Sequence, residues 1–258
     1  MSAHIEIRRC RPLLGTFVEI TARGAHPARL ERGLRRAFAA IEALQARLSA
    51  HDPASEISRL NRAAHARPVA VGADAWRVLR AAARLARQSG SAFDATLAGR
   101  SRDIVFLSGR RVRFARALRV DLGGIAKGYC VDRAVAALRR AGVASGLVNA
   151  GGDLRAFGPH AFPLHLRHPA DPSRLIAVDE LRDAALATSA SYAAWQERCA
   201  GRVRDARGGR PLDAGTSVSV RASSALLADA LTKAVALDGA RAEPLLARYR
   251  AHAWVYAS

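Results

Sequence analysis

Apolar residues recur with helical spacing in four long segments of the chain. Over residues 28–49 they return every three or four positions, which predicts an amphipathic helix. A second helix is predicted over Ala73–Gln88, ahead of a glycine that stops it. The segment KGYCVDRAVAALRRAG predicts a third helix closed by Gly142, and SSALLADALTKAVAL predicts a fourth with Ser223 or Ser224 as its N-cap.

Shorter segments alternate between apolar and polar residues, which is typical of half-buried strands. GTFVEITA predicts one strand, RVRFARALRVDLGG two short strands that meet a glycine turn, and GLVNAGGDLRAFG two strands joined by a glycine turn. Further strand candidates are LHLRHP, LIAVDEL, SVSVRA and AWVYA, while HDPASEISRLN predicts a polar loop with a short helical turn. Strands and helices mix without a regular βαβ rhythm, so we predict a single α+β domain over residues 1–258.

The composition of the 258-residue chain is that of a globular protein, with 50% hydrophobic and 24% charged residues. Its apolar runs are interrupted well before the roughly 18 residues that a membrane span requires. The first residues lack the apolar stretch of a secretion signal, so we expect a cytoplasmic protein. The three cysteines are scattered without metal-type spacing and are expected to be structural thiols.

The formal net charge of +19 arises mainly from 39 arginines, because the chain has only two lysines, Lys127 and Lys233. The arginines are spread over helix faces without an aromatic platform or a concentrated basic tail, so we expect no specific nucleic-acid binding. A positive surface still attracts polyanionic ligands such as dinucleotides. The two lysines stand out as positions where a compact ammonium is used instead of a guanidinium.

Two glycine pairs, Gly123-Gly124 and Gly151-Gly152, follow predicted strands, and each neighbours an acid, Asp121 or Asp153. Glycine lets the backbone approach a ligand closely, and free N–H groups in such turns bind anions. Lys127 follows the first pair at the start of a predicted helix, where an ammonium and a helix N-terminus together favour an anion. Each turn taken singly is also explained by ordinary chain reversal. Neither one matches a Walker loop or a dinucleotide fingerprint.

The chain resembles the FAD:protein FMN transferases, also called the ApbE family. The resemblance covers nearly the whole sequence in the family's order. The segments that carry it are LLGTFVEI, SEISRLN, FDATLAG, VDLGGIAKGYCVD, GLVNAGGDLRAFG, ATSASY and ADALTKAVALDG. It implies a T-fold-like domain with mixed and antiparallel sheets and packed helices.

The resemblance also implies a magnesium-dependent enzyme that cleaves the diphosphate of FAD. Such an enzyme attaches FMN to a Thr or Ser of a flavin-acceptor protein and releases AMP. Positioning and positive charge around the phosphates carry most of such a reaction, and a general base for the acceptor hydroxyl assists it. Family flavin contacts fall on Ala92, Phe93, Asp94, Asp121 and Lys127, and the cofactor-binding set is completed by Gly151, Gly152 and Asp153. The metal ligands fall on the backbone carbonyl of Gly124 and the carboxylate of Asp229.

Two departures from the family pattern affect the expected chemistry. The threonine that completes the family's metal site is replaced by Lys233, with Thr232 one position early. Arg202 replaces a histidine of the family, while Asp205 is retained. Asp205, Asp229 and Lys233 are the candidate catalytic residues.

Lys233 lies four residues after Asp229, so both share one helix face and can pair. One hypothesis is that the Lys233 ammonium takes over part of the role of magnesium, and the alternative is an ordinary surface pair. The function has two corresponding interpretations. The first is an FMN transferase, and the second is an FAD-binding protein on the same scaffold with lost or altered transfer.

Overall fold

The computed structural model describes residues 5–97, 99–168, 171, 173–190 and 216–257. Its strands in chain order are β1 (Ile5–Leu13), β2 (Thr16–Gly24), β3 (Val69–Ala70), β4 (Ile104–Leu107), β5 (Arg111–Phe114), β6 (Ser145–Ala150), β7 (Asp153–Phe157), β8 (Phe162–Arg167), β9 (Leu175–Leu181), β10 (Ala185–Ala190), β11 (Thr216–Ala222) and β12 (His252–Ala257). Its helices are α1 (Pro27–Leu48), α2 (Glu56–Ala63), α3 (Ala73–Gln88), α4 (Ala126–Arg140), α5 (Ala225–Asp238) and α6 (Glu243–Arg248).

A seven-stranded antiparallel sheet in the order β1-β2-β6-β7-β10-β11-β12 forms the centre of the fold. Its strands come from both ends of the chain, so the sheet brings early and late segments together. Two smaller antiparallel sheets are formed by β3-β5-β4 and by β8-β9. The α+β prediction is therefore confirmed.

The long helices pack on the sheet through the apolar faces that their spacing predicts. On α1, buried residues return every three or four positions, as in Leu30, Leu34, Phe38 and Ile41. Helix α4 lies between α1 and α5 and also contacts β6 and β7. This central position of α4 places the start of the helix beside both the β6–β7 turn and α5.

Local signals predict the helix ends closely. The hydroxyl of Ser224 accepts a hydrogen bond from the backbone N–H of Leu227 at 3.3 Å, so Ser224 is the N-cap of α5. The predicted short turn near residue 56 is the two-turn helix α2, and Ser55 caps it by accepting from the N–H of Ser58 at 2.9 Å.

Five strand assignments differ from the sequence expectation. Two of them are the short strands β3 and β4, which were not predicted. The second strand predicted before the first glycine pair is reduced to one antiparallel bridge between Thr96 and Val120. Strand β1 was not predicted, because its run of arginines hides the alternation at an exposed sheet edge. Strand β10 was not predicted either, because the small residues of ALATSA have weak strand preference and are held by neighbours on both sides.

Within the described ranges, no helix combines the length and apolar character needed to cross a lipid bilayer.

Candidate functional site

The first glycine turn leads directly into α4 and is fixed by the acid that precedes it. The carboxylate of Asp121 accepts a hydrogen bond from the N–H of Gly123 at 2.8 Å. The N–H of Asp121 in turn donates to the carbonyl of Ala95 at 2.8 Å. The segment that contains the predicted contacts Phe93 and Asp94 therefore runs beside the residues that lead into the turn.

Asn61 on α2 holds that same segment through a double hydrogen bond to Val120. The Asn61 side chain donates to the Val120 carbonyl at 2.9 Å and accepts from its N–H at 2.8 Å. Asn61 belongs to the SEISRLN segment, but its role was missed from the sequence. The only signal was a polar residue near the end of an amphipathic helix, and its partner lies 59 residues away.

The second glycine turn joins β6 to β7 and requires glycine at both positions. Gly151 has φ +62° and Gly152 has φ +100°, both in the region that favours glycine. A Cβ on Gly151 would lie 2.5 Å from the Thr16 hydroxyl, so β2 closes over the turn. The N–H of Gly152 donates to the side-chain oxygen of Asn149 at 3.1 Å.

Two lysines and two aspartates meet where these turns approach α5, and we call Lys127, Asp153, Asp229 and Lys233 the four-charge cluster. Lys127 Nζ lies 3.0 Å from Asp153 Oδ2, which joins the start of α4 to the second turn. The N–H of Gly128 donates to Asp229 Oδ2 at 3.1 Å, and Lys233 Nζ pairs with Asp229 Oδ1. The aspartate side chains are 1% and 0% exposed, whereas Lys127 is 34% and Lys233 15% exposed.

The electrostatics of the cluster separate its two acids. Burial, reinforced by the negative charge of Asp229, raises the pKa of Asp153 to about 6 against the pull of the two lysines. Burial also opposes ionisation of Asp229, but Lys233, Lys127 and the Gly128 N–H together hold its pKa below the ordinary value. The pKa of Lys127 is lowered by burial but raised by Asp153 and Asp229, with a net rise. The ionised form of the buried Asp229 is thus favoured, while the pKa of Asp153 lies at about 6.

Gly124 lies next to Lys233 of the cluster and next to the ring of the buried Phe93. A Cβ added to Gly124 would lie 3.5 Å from Lys233 Cε and 3.5 Å from the Phe93 ring. The lysine stem therefore lines the first glycine turn. Thr232 is fully buried instead, where its hydroxyl donates to the Asp229 carbonyl and pairs with the Ser189 hydroxyl, each at 2.7 Å. It does not replace a metal-ligating threonine at the position of Lys233.

Not every predicted flavin contact points at the cluster. The Asp94 carboxylate accepts from the N–H groups of Thr96 at 3.0 Å and Ser101 at 3.1 Å, and from both of their hydroxyls. It organises its own loop. Ala92 is 1% exposed and packs in the core.

The start of α5 is positioned by Asp132 on α4, a residue that the sequence did not single out. Its two carboxylate oxygens accept from the N–H groups of Ala225 at 2.9 Å and Leu226 at 3.0 Å. Arg155 on β7 pairs with the same carboxylate. This arrangement joins α4, α5 and β7 one helical turn away from Asp229, and nothing in local spacing indicates it.

The other candidate catalytic residue, Asp205, lies outside the described residues, as does Arg202.

A divalent cation does not fit the described residues at Asp229. Both carboxylate oxygens already have partners, and the partner of Oδ1 is itself a cation. Among the described residues no group of three or more His, Cys, Asp or Glu side chains is arranged to hold a metal ion. Mg²⁺ prefers several oxygen ligands in a near-octahedral arrangement. A carboxylate that is already paired with an ammonium and a backbone N–H does not offer Mg²⁺ such an arrangement.

Two surface cavities lie apart from the cluster. One of about 490 Å³ is lined by Arg36, Arg133 and Arg140 between α1 and α4. The other, of about 610 Å³, is lined by Trp76, Phe106 and arginines of α3. Neither of these two cavities contains a predicted flavin contact.

The sequence model of the ApbE family matches residues 14–106 and 100–255. A FAD:protein FMN transferase from Rhodobacter capsulatus is 33% identical over 150 residues, covering 55% of this chain and 28% of the relative. One from Klebsiella pneumoniae (strain 342) is 35% identical over 100 residues, covering 37% of this chain and 31% of the relative. Each alignment thus spans less than a third of the relative.

The fold is similar to the apo crystal structure of the Pseudomonas stutzeri flavinyl transferase ApbE. The TM-score is 0.84 at 22% sequence identity, and the match covers 99% of this chain and 92% of that chain. At this identity the likeness shows the shared fold.

Proposed function

Because the chain belongs to the ApbE family, we propose that it is an FAD:protein FMN transferase that acts on a Thr or Ser of a flavin-acceptor protein. The names of the two relatives support this assignment. The structural observation that carries it is the 3.0 Å contact between Lys127 and Asp153. This contact places both glycine turns and the start of α4 around one group of charges, as a diphosphate site requires.

The proposed site binds FAD through features that each have a physical role. The N-terminus of α4 and the 34%-exposed Lys127 present positive charge to the diphosphate. The glycine turns let backbone N–H groups approach the phosphate oxygens. Phe93, which is 4% exposed and lies beside Gly124, is the proposed apolar neighbour of the flavin. Asp121 shapes the first turn, and Asp94 shapes the loop next to it.

In the transfer step, the acceptor hydroxyl oxygen attacks the phosphorus of the FMN half of FAD. A new P–O ester bond forms, the bond from that phosphorus to the bridging oxygen breaks, and AMP leaves with that oxygen. The hydroxyl proton passes to a general base, for which we propose Asp205. Lys127 and the backbone donors stabilise negative charge that develops on the phosphate oxygens.

A second candidate function is FAD binding without transfer. The observation that favours it is the ion pair between Lys233 and Asp229, which leaves the cluster with two cations against two anions. Phosphoryl-type transfer benefits from excess positive charge, and this balanced cluster supplies less than a metal would.

The two functions are separated by incubating the protein with FAD and a flavin-acceptor domain that contains a target threonine. Transfer predicts covalent in-gel flavin fluorescence on the acceptor and AMP in equal amount. The Lys127→Met variant is expected to lose at least tenfold in rate, whereas Arg84→Met, which removes one exposed positive charge on α3, keeps the rate. FAD binding without labelled acceptor or AMP would support the second function instead.

A further inference from the structure

We propose that the Lys233 ammonium takes the place of a metal ion at Asp229, so that the protein binds FAD without a divalent metal there. The inference rests on the proposed function, because it concerns how the same site holds FAD. It assigns to Lys233 a binding role in place of a structural one.

The first support is the way the Asp229 carboxylate is used. Its Oδ2 accepts from the Gly128 N–H at 3.1 Å, and its Oδ1 is paired with the Lys233 ammonium. The same ammonium donates to the Asp229 backbone carbonyl at 2.9 Å. The ammonium thus has two fixed oxygen partners on one residue, and the oxygen that a metal would need is taken.

The second support is burial. The Asp229 side chain is fully buried and that of Lys233 is 15% exposed, so the ordinary surface pair considered from the sequence is wrong. A metal ion on Oδ1 would have to displace the ammonium or share the oxygen with it. Sharing is disfavoured because two cations repel strongly where water is excluded. Displacement would require a new partner for a mostly buried charge.

The third support is the direction of the lysine stem. Lys233 Cδ and Cε pass 3.8 and 3.5 Å from the Cβ position of Gly124, in the turn that leads into α4. The stem of Lys233 therefore runs past the turn where the diphosphate is expected. A branched guanidinium would need more room beside Gly124, which explains a lysine in a chain that otherwise uses arginine.

A second pair of a lysine and a buried aspartate belongs to the same cluster, where Lys127 Nζ lies 3.0 Å from Asp153 Oδ2. Both lysines of the chain thus neutralise a buried acid. Each keeps part of its side chain accessible. Together they place two ammonium groups where the diphosphate is expected, although the two aspartates balance their charge and a metal would bring more.

The decisive measurement is FAD titration of the full chain, followed by quenching of flavin fluorescence, in EDTA and in Mg²⁺. We expect dissociation constants within twofold of each other. We also expect no stoichiometric Mg²⁺ in the FAD-loaded protein by elemental analysis after gel filtration. Tenfold or tighter binding with Mg²⁺, or one bound Mg²⁺ per chain, would overturn the inference and leave the transferase proposal intact. No FAD binding in either buffer would overturn both.

A variant tests the role of the ammonium itself. Lys233→Met keeps the length of the stem, and we expect FAD binding in EDTA to weaken at least tenfold. Mg²⁺ should then restore part of the affinity, because Asp229 Oδ1 becomes free. The matched control is Arg84→Met, which removes one exposed positive charge elsewhere and should bind FAD within twofold of the unmodified chain. Unchanged FAD affinity in Lys233→Met contradicts the inference, and if that variant fails to fold, the titration of the unmodified chain decides.

Discussion

Gly128 on α4 lies directly against the carbonyl of Ala225, the first residue of α5. A Cβ on Gly128 would be 2.1 Å from that oxygen and 2.8 Å from the N–H nitrogen of Leu226. The two helix backbones therefore meet where only glycine fits. This contact allows the Gly128 N–H to reach Asp229, one turn further along α5, and so it sets the position of the four-charge cluster.

We expect Gly128→Ala to force α4 and α5 apart. Overpacking against backbone should lower the free energy of unfolding by about 3 kcal/mol. FAD affinity should fall as well, because Asp229 and Lys233 move with α5. Urea denaturation and FAD titration measure the two effects.

The matched control is Gly109→Ala, where φ is +68° but nothing lies within 4 Å of the new Cβ. It should cost about 1–2 kcal/mol through backbone strain alone and leave FAD affinity unchanged. If both variants bound FAD equally well, the close helix contact would not position the site.

Asp132 and Ser224 both cap α5, and their replacement should have different costs. Ser224→Ala removes one hydrogen bond to the Leu227 N–H and should cost about 1 kcal/mol in unfolding free energy. Asp132→Ala removes two capping bonds and leaves the largely buried Arg155 without its anion, which should cost about 3 kcal/mol. Parallel denaturation curves test the difference, and equal losses would show that Arg155 finds another partner.

Asp153 should make stability depend on pH between about 4 and 6. Its pKa is about 6 in the folded protein and 3.8 ordinarily, so in this window the folded state binds more protons than the unfolded state. The contribution of this group is therefore largest at low pH and is lost as pH rises through the folded value, by about 3 kcal/mol.

Asp229, whose pKa is lowered, contributes with the opposite sign, so the comparison must isolate Asp153. In Asp153→Asn the downward slope from pH 4 to 6 should be absent, and the difference between the two proteins should be constant above about pH 7. The test is the unfolding free energy in urea at intervals of one pH unit. If the two proteins had parallel pH profiles, the pH dependence would come from a group other than Asp153.

We expect Asp94 to stabilise its own loop and not to contact a ligand directly. Asp94→Ala removes four hydrogen bonds to Thr96 and Ser101, and we expect a loss of about 2 kcal/mol in stability with faster amide exchange in this segment. Asp121→Ala, which removes one bond to Gly123, should change exchange only locally. Weaker FAD binding by Asp94→Ala with the loop still protected would instead support direct contact with the flavin.

The parts of the fold that follow from short-range rules were predictable. The apolar spacing of α1, the cap of α5 and the strand–turn–strand of β6 and β7 each depend on neighbours within a few residues. The same holds for the two glycine turns, whose backbone requirement is local. Strand β10 was missed because its sequence has little strand preference and its conformation is imposed by β7 and β11.

The four residues of the four-charge cluster were all among the predicted site residues, but their arrangement was not predictable. The contacts that assemble it join residues far apart in sequence: Lys127 and Asp153 by 26 positions, Asn61 and Val120 by 59, Asp132 and Ala225 by 93, and Gly128 and Asp229 by 101. No local pattern encodes such pairs, because each depends on the packing of several elements at once.

The sequence alone determined which residues carry charge, which turns need glycine, and that Asp229 and Lys233 share one face of a helix. Only the tertiary structure decided that this pair is buried, because exposure depends on what packs over a helix and not on spacing along it. Burial changes the chemistry of the pair. If the pair were exposed, ions from the solvent would compete with Lys233 for the carboxylate. Here Lys233 is held on a carboxylate that is fully buried.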